Sequence, residues 1–215
     1  MNGLIIAGGS IDDKFASNLI KNGAFEAILA ADSGVDFLYR NHITPDIIIG
    51  DFDSCDSEAL SYYRELDQVA VSELNPEKDD TDLEHTVREA IRLRLDDITI
   101  VGCFGDRIDH VLGNISLLGI GLEYRVNITL MDAKNRVRMI TEPLTLKKKN
   151  QFGDFVTLLA VGGPVEGLTL KGFKYELDNA ILEPYTSLGV SNEITAAEAS
   201  IIFTNGTLLV IEARD

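Results

Sequence analysis

Two aspartates separated by one residue follow a run of isoleucines in the segment "IIIGDFDS" (Ile47–Ser54). In an extended chain alternate residues point the same way, so Asp51 and Asp53 are expected to lie side by side. Two neighbouring carboxylates repel each other unless a cation or hydrogen-bond donors hold them. Oxygen ligands of this kind suit a hard divalent cation such as Mg²⁺. The spacing therefore predicts a magnesium site at the end of a buried strand.

Further acids lie in the segments "AILAAD", "KDDTDLEHT" and "GDRIDHVLGNI". They stand where apolar runs end or where helices are predicted to begin: Asp32, Asp79, Asp82 and Asp109. In open parallel α/β sheets, ligands bind outside the carboxyl ends of the strands. We therefore expect these acids to converge on one edge of a sheet, with no cysteine or histidine spacing typical of zinc.

The same segments carry groups that suit phosphate. Arg107 is placed to contact phosphate oxygens, and the turn at Gly8 and Gly9 lets backbone N–H groups approach them. The chain has no GxxxxGK[ST] motif, and its glycine turn lacks the third glycine of the dinucleotide-binding motif. Carboxylates for metal together with an arginine for phosphate favour phosphoryl-type transfer.

The elements that position these residues alternate along the first part of the chain. Continuous apolar runs such as "LIIA", "AILAA", "ITIVG" and "NITLM" predict buried strands of a parallel sheet. Apolar residues recur at helical spacing from Leu83, and Thr81 with Glu84 predicts a capping box at the start of that helix. A further helix is predicted through Leu112 and Leu118.

The sequence pattern changes near Pro143, where short strand-like runs are separated by glycine and proline. In "SIIFTNGTLLVIE", the pair Asn205-Gly206 between two β-rich runs predicts a hairpin. The predicted organisation is an α/β domain with a parallel sheet over residues 1–142. A smaller antiparallel domain is predicted over residues 143–215.

The chain has 215 residues and a net charge of −16. Such a surface disfavours nucleic-acid backbones and anionic membranes. No apolar run reaches the roughly 18–20 residues of a membrane-spanning helix. The cysteines Cys55 and Cys103 form no disulfide-framework or metal pattern. We therefore expect a cytoplasmic protein with no nucleic-acid or membrane partner.

Three separated motifs resemble those of thiamine pyrophosphokinases in order and spacing: "GDFDS", "KDDTDLEHT" and "GDRIDHVLGNI". The later segments "GFKYELDNAIL", "TSLGVSNEI" and "NGTLLVIE" are also similar to that family, so the resemblance covers nearly the whole chain. It implies a Rossmann-like ATP- and metal-binding catalytic domain and a C-terminal β-sandwich for thiamine binding and dimerisation. It also implies a homodimer with active sites between subunits. Asp106 departs from the residue that many relatives have before the arginine.

The resemblance implies transfer of the β,γ-pyrophosphoryl group of ATP to thiamine, with Mg²⁺, giving thiamine diphosphate and AMP. It assigns the metal to four carboxylates: Asp51, Asp53, Asp79 and Asp82. The expected catalytic residues are these acids with Arg107 and Asp109. The residues expected to bind cofactor or substrate are Asp32, Gly105, Arg107, His110, Ser191 and Asn192.

Within these assignments, Asp109 fixes either Arg107 or the substrate hydroxyl, and Ser191 and Asn192 contact thiamine. From their types alone, the last two residues favour a polar β-turn over a thiamine contact. Other functions stay open on the residues: a pyrophosphokinase for a hydroxymethyl-pterin, a Mg²⁺-dependent nucleotide-sugar transferase, or a non-catalytic nucleotide or thiamine sensor. The nucleotide product distinguishes the enzymes.

Overall fold

The computed structural model describes residues 1–75, 77 and 79–215. Lys78, the first residue of the predicted "KDDTD" cluster, lies outside the described residues. The chain divides into two compact units, Met1–Ala133 and Lys134–Asp215. Among the described helices, none combines the length and the apolar character needed to cross a membrane.

The first unit alternates strands with helices. Its strands are β1 (Asn2–Ile6), β2 (Ala27–Ala31), β3 (Ile47–Gly50), β4 (Ala70–Glu73), β5 (Asp97–Val101) and β6 (Asn127–Met131). Its helices are α1 (Asp13–Asn22), α2 (Gly34–Arg40), α3 (Ser57–Arg64), α4 (Asp82–Arg92), α5 (Ile108–Ser116) and α6 (Leu118–Tyr124).

The strands of this unit lie in the order β4-β3-β2-β1-β5-β6, and every neighbouring pair is parallel. The chain builds the sheet outward from β1 to β4 and then returns to place β5 on the other side of β1. Such a point of reversal is where open α/β sheets bind ligands. The buried residues of β1 and β5 include Leu4, Ile6 and Val101, which explains their continuous apolar sequences.

Capping residues set one end of each of two helices, and the sequence predicts the cap of α4. The Thr81 hydroxyl accepts a hydrogen bond from Glu84 N at 3.2 Å, so α4 begins directly after it. Gly23 follows the last residue of α1. The helix predicted through Leu112 and Leu118 is instead two helices, α5 and α6, which are separated by the single residue Leu117.

The second unit is built from antiparallel strands. They are β7 (Asn135–Ile140), β8 (Leu144–Lys147), β9 (Phe155–Ala160), β10 (Val165–Lys171), β11 (Leu177–Leu182), β12 (Glu198–Ile202) and β13 (Leu208–Ala213).

Two layers make up this unit, one with the order β7-β13-β9 and one with the order β11-β10-β12-β8. Buried residues from both layers form one hydrophobic core, which includes Leu158 and Val210 from the first and Leu170 and Ile201 from the second. The predicted fold class, a parallel α/β domain followed by a smaller antiparallel β-sandwich, is therefore confirmed.

The structure differs from the sequence prediction at two places in this unit. The hairpin predicted at Asn205-Gly206 is wrong: β12 pairs with β10 and β8, whereas β13 pairs with β7 and β9. Gly206, with φ of 108°, therefore lies in a crossing between the two layers. The division between units falls after Ala133 rather than after residue 142, because β7 pairs with β13.

Candidate functional site

The loops that follow the strands of the first unit surround a cavity of about 620 Å³. Segments after β1, β2, β3 and β5 contribute to it, together with the first residues of α4 and one face of α5. The cavity therefore lies at the carboxyl ends of the strands, at the point where the strand order reverses. The predicted convergence of strand-end loops on one edge is visible in these lining residues.

Backbone hydrogen bonds hold the loops after β1 and β5 close together. Gly9 N donates to the Gly102 carbonyl oxygen at 2.8 Å, and Ser10 N donates to the Phe104 carbonyl oxygen at 2.8 Å. A Cβ on Gly9 would lie 2.4 Å from the Gly102 oxygen, so only glycine allows this approach. The two loops form one wall of the cavity with backbone close to its surface.

Three carboxylates lie together at this edge of the sheet. Asp32, Asp51 and Asp53 each offer a carboxylate oxygen, and these oxygens lie within 4.8 Å of one another. Asp32 is placed at the end of β2 with φ of 48°, and its N–H donates to the Ile49 carbonyl oxygen at 2.8 Å. A Cβ on Gly50 would lie 3.0 Å from the Asp32 Cα, which shows how closely the two strand ends approach.

The loop that carries Asp51 and Asp53 is held by the residue between them. Phe52 has φ of 61°, a left-handed conformation, and its ring is buried in the hydrophobic core of the first unit. The Asp53 N–H donates to Asp51 Oδ1 at 3.2 Å. The Phe52 side chain turned into the core leaves the two flanking carboxylates at the surface, through a left-handed turn after β3 rather than the extended strand that the sequence predicts.

Two neighbouring side chains donate to this group of acids. The Ser54 hydroxyl lies 3.1 Å from Asp32 Oδ2 and 2.9 Å from Asp53 Oδ1. The Cys55 thiol lies 3.5 Å from Asp32 Oδ1. Burial, followed by the charge of Asp32, raises the pKa of Cys55, so this thiol stays protonated.

The three acids have the chemistry that a hard divalent cation requires. All are oxygen donors, and their closest oxygens span a distance that one ion can bridge. Within the described residues the group includes no histidine or cysteine, so Mg²⁺ suits it better than zinc. The donor set therefore fits the metal that the sequence predicts, with Asp32 as a third member beside Asp51 and Asp53.

The acids of the "KDDTDLEHT" segment occupy different places. Asp82 lines the cavity in the first turn of α4, where the helix dipole favours an acid. Asp79 is exposed, and among the described residues neither acid belongs to the three-carboxylate group. Asp80 Oδ2 lies 3.4 Å from His85 Nδ1. This segment therefore contributes Asp82 to the cavity wall.

The loop after β5 places a positive charge at the mouth of the cavity. The Arg107 guanidinium donates to Asp109 through Nε at 3.2 Å and through Nη2 at 2.7 Å. This pairing lowers the pKa of Asp109 to about 2 and raises that of Arg107. Gly105 and His110 also line the cavity, as does Arg107 itself. The arginine is exposed and charged, as a phosphate contact requires.

Asn114 and Ser54 line the same cavity, and neither was predicted as a site residue. Asn114 Nδ2 donates to the Cys103 carbonyl oxygen at 2.7 Å, which holds the loop after β5 against α5. Both residues lie inside motifs that the sequence analysis quoted. Their hydrogen bonds join residues on different elements, which a pattern of residue types does not show.

Ser191 and Asn192 lie in the second unit. Ser191 is exposed with φ of 56°, and its N–H donates to Thr157 Oγ1 at 2.9 Å. Asn192 is buried, with 6% of its surface exposed. Its Oδ1 accepts from the N–H groups of Tyr175 and Glu193, and its Nδ2 donates to the Tyr175 carbonyl oxygen at 2.8 Å. Asn192 thus holds the Tyr175 segment in place.

Comparison with protein families assigns both parts of the chain. Residues 18–130 match the family described as the catalytic domain of thiamin pyrophosphokinase. Residues 143–208 match the vitamin B1 binding domain of thiamin pyrophosphokinase. The first match includes the three-carboxylate group, and the second includes Ser191 and Asn192.

Individual relatives agree with these matches. A thiamine pyrophosphokinase of Bacillus subtilis (strain 168) is 31% identical over 189 residues, covering 87% of this chain and 87% of that protein. The crystal structure of thiamine pyrophosphokinase from Bacillus subtilis superposes with a TM-score of 0.90 at 28% identity, covering 100% of both chains. That of thiamin pyrophosphokinase from Geobacillus thermodenitrificans gives 0.86 at 27% identity, covering 100% of this chain and 98% of that one. With both domains matched and this identity over most of its length, the chain belongs to the thiamine pyrophosphokinase family.

Proposed function

We propose that this chain transfers the β,γ-pyrophosphoryl group of ATP to the hydroxyethyl oxygen of thiamine, giving thiamine diphosphate and AMP. The observation that carries the proposal is the three-carboxylate group beside a cavity at the switch point of the sheet, in a chain of this family. The first unit supplies the ATP and metal site, and the second supplies thiamine binding and dimer contacts. The alternative acceptor and the nucleotide-sugar reaction have no support from the family membership.

Asp32, Asp51 and Asp53 are the residues that would hold Mg²⁺. Asp82 reaches the same cavity and is a further candidate, and Asp79 is retained from the motif alone. Bound there, the metal would neutralise phosphate charge and align the β-phosphorus with the attacking oxygen. Without a cation, the negative charges of these carboxylates repel other anions from the site.

Arg107 is proposed to contact phosphate oxygens of ATP, with Gly105 and His110 beside it in the cavity wall. In the free protein its guanidinium is paired with Asp109, which holds it at the cavity wall. A planar guanidinium can exchange this carboxylate for phosphate without changing its hydrogen-bond geometry. Asp109 therefore acts as the residue that orients Arg107.

Thiamine is proposed to lie against the second unit of a partner subunit. Ser191, exposed and close to the buried Asn192, offers a neutral hydroxyl suited to an aminopyrimidine. Exposed apolar side chains support a homodimer: Ile108 and Leu112 of α5 are 73% and 59% exposed, and Tyr185 is fully exposed. The free thiols of Cys55 and Cys103 support a reducing compartment, the cytoplasm.

Product analysis tests the reaction. Incubation with ATP, Mg²⁺ and thiamine should give AMP and thiamine diphosphate in equal amounts, resolved by anion-exchange chromatography. Asp51→Asn should lower turnover about 100-fold or more, because a lost ligand forfeits several kcal/mol of charge stabilisation. Asp67→Asn, an exposed acid outside the cavity, serves as the control and should leave turnover unchanged. Production of ADP with thiamine monophosphate would mean attack at the γ-phosphorus and would refute the proposal.

A further inference from the structure

Ser54 connects two of the three carboxylates although they belong to different elements. Asp32 lies at the end of β2, and Asp53 lies in the loop after β3. The Ser54 Oγ is 3.1 Å from Asp32 Oδ2 and 2.9 Å from Asp53 Oδ1. Both distances allow a hydrogen bond, so one hydroxyl lies between two negatively charged groups.

A hydroxyl has a single proton, so it donates to one of these carboxylates at a time. In one state it holds Asp32 Oδ2 and in the other it holds Asp53 Oδ1, so rotation of the hydroxyl lets it restrain each carboxylate in turn. The carboxylates would otherwise repel each other and rotate apart. The hydroxyl therefore keeps the acids close to the arrangement that a cation needs, before any cation binds.

The rest of the loop is held without this hydroxyl. On one side of Ser54, the Phe52 ring is buried in the core. On the other side, Asp56 N donates to Asp36 Oδ1 at 3.0 Å. Removal of the Ser54 hydroxyl should consequently leave the fold of the loop intact while releasing the rotation of two carboxylates.

We propose that Ser54 is a positioning residue that sets the affinity of the three-carboxylate group for its divalent cation. The inference rests on the proposed function, since it requires that these acids hold Mg²⁺. Ser54 acts through Asp32 and Asp53 and takes no part in the transfer itself. Its effect should therefore appear in metal binding and in the Mg²⁺ concentration that supports activity, rather than in the maximal rate.

The experiment measures Mn²⁺ binding directly, from the loss of the electron paramagnetic resonance signal of the free ion. Ser54→Ala should raise the Kd for Mn²⁺ about tenfold, which corresponds to about 1.4 kcal/mol. The Mg²⁺ concentration at half-maximal activity should rise by a similar factor, with kcat at saturating Mg²⁺ close to wild type. Ser54→Thr keeps the hydroxyl and should restore binding. Ser57→Ala, an exposed serine in the first turn of α3, is the matched control.

Two outcomes overturn the inference. Unchanged Mn²⁺ affinity in Ser54→Ala would remove the positioning role, whether or not kcat falls. A fall in the melting temperature large enough to unfold Ser54→Ala in EDTA would make the residue structural. Asp51→Asn separates these failures from that of the proposed function. If Asp51→Asn still binds Mn²⁺ and turns over normally, the metal assignment is wrong; if it loses both while Ser54→Ala is unaffected, only the role of Ser54 is wrong.

Discussion

At the residue scale, the charge at the cavity mouth is set by one exposed ion pair. Arg107 and Asp109 are separated by one residue, and their side chains meet through two hydrogen bonds. The pKa of Asp109 is lowered to about 2, chiefly by its hydrogen bond from Arg107. Because both side chains are exposed, the pair orients the arginine more than it stabilises the fold.

The sign of this shift gives a pH dependence. The pKa of Asp109 is lower in the folded protein than its value in the unfolded chain, roughly 3.9, so this group stabilises the folded state at pH values above about 3.9. That stabilisation is lost as the pH falls towards 2. Arg107→Gln should return the pKa of Asp109 to roughly 4. Carboxyl ¹³C NMR titration measures this value directly. Arg94→Gln, an exposed arginine after α4, should leave Asp109 at about 2. A wild-type Asp109 that already titrates near 4 would show that the pair does not form in solution.

At the scale of elements, a sequence pattern predicts the structure correctly where the interaction behind it joins residues that are close in sequence. Thr81 and Glu84 are three residues apart, and their hydrogen bond forms within one helical turn, so the start of α4 follows from sequence. Asn205-Gly206 is an equally local pattern that predicts a hairpin, but its two flanking strands do not pair with each other. Its flanking strands pair with other strands and lie in different layers, and both contribute buried residues to the core between those layers. Tertiary packing therefore overrides turn preference.

The residues of the candidate site can likewise be predicted from the sequence only where their relation is local. Asp51 and Asp53 could be predicted as a pair because only one residue separates them, but the extended strand assumed for them ends at Gly50, and Phe52 between them is left-handed. Asp32 was predicted as a ligand-binding residue, but its membership of the three-carboxylate group depends on the pairing of β2 with β3. Ser54 could not be recognised, since its role depends on the rotation of a hydroxyl between two elements. Relations that depend on side-chain geometry lie beyond residue types and spacing.

Asn192 allows a prediction about the stability of the second unit. Its buried amide makes hydrogen bonds to the Tyr175 N–H and carbonyl groups and to the Glu193 N–H. Asn192→Ala leaves these backbone groups without those partners, so the free energy of unfolding should fall by about 2–3 kcal/mol. Urea denaturation measures the change, and Asn205→Ala, at an exposed residue of the crossing between the two layers, should alter it by less than about 0.5 kcal/mol. Unchanged stability in Asn192→Ala would leave its amide available for thiamine instead.

At the scale of the whole molecule, the two units carry different halves of the proposed reaction. The described acids of the metal group all lie in the first unit, whereas Ser191 lies in the second. The exposed apolar side chains of α5, beside the cavity, and the exposed Ile181 of β11 give each unit surface that a second copy could bury. A homodimer in which one subunit supplies Asp51 and its partner supplies Ser191 uses both features.

Mixing inactive subunits tests this arrangement. Ser191→Lys places a long, positively charged side chain where the aminopyrimidine of the cationic thiamine would lie, and it should abolish turnover, as Asp51→Asn does through the metal site. An equal mixture of the two variants, unfolded and refolded together, should recover about a quarter of wild-type activity. Half of the dimers are then mixed, and one of the two sites in each mixed dimer is intact.

Asp51→Asn mixed with Asp53→Asn is the matched control and should recover nothing, because both defects lie in the same half of every site. Mixed dimers that form, as shown by native mass spectrometry, yet stay inactive would place the whole site within one subunit. A monomeric wild-type protein would refute the homodimer itself.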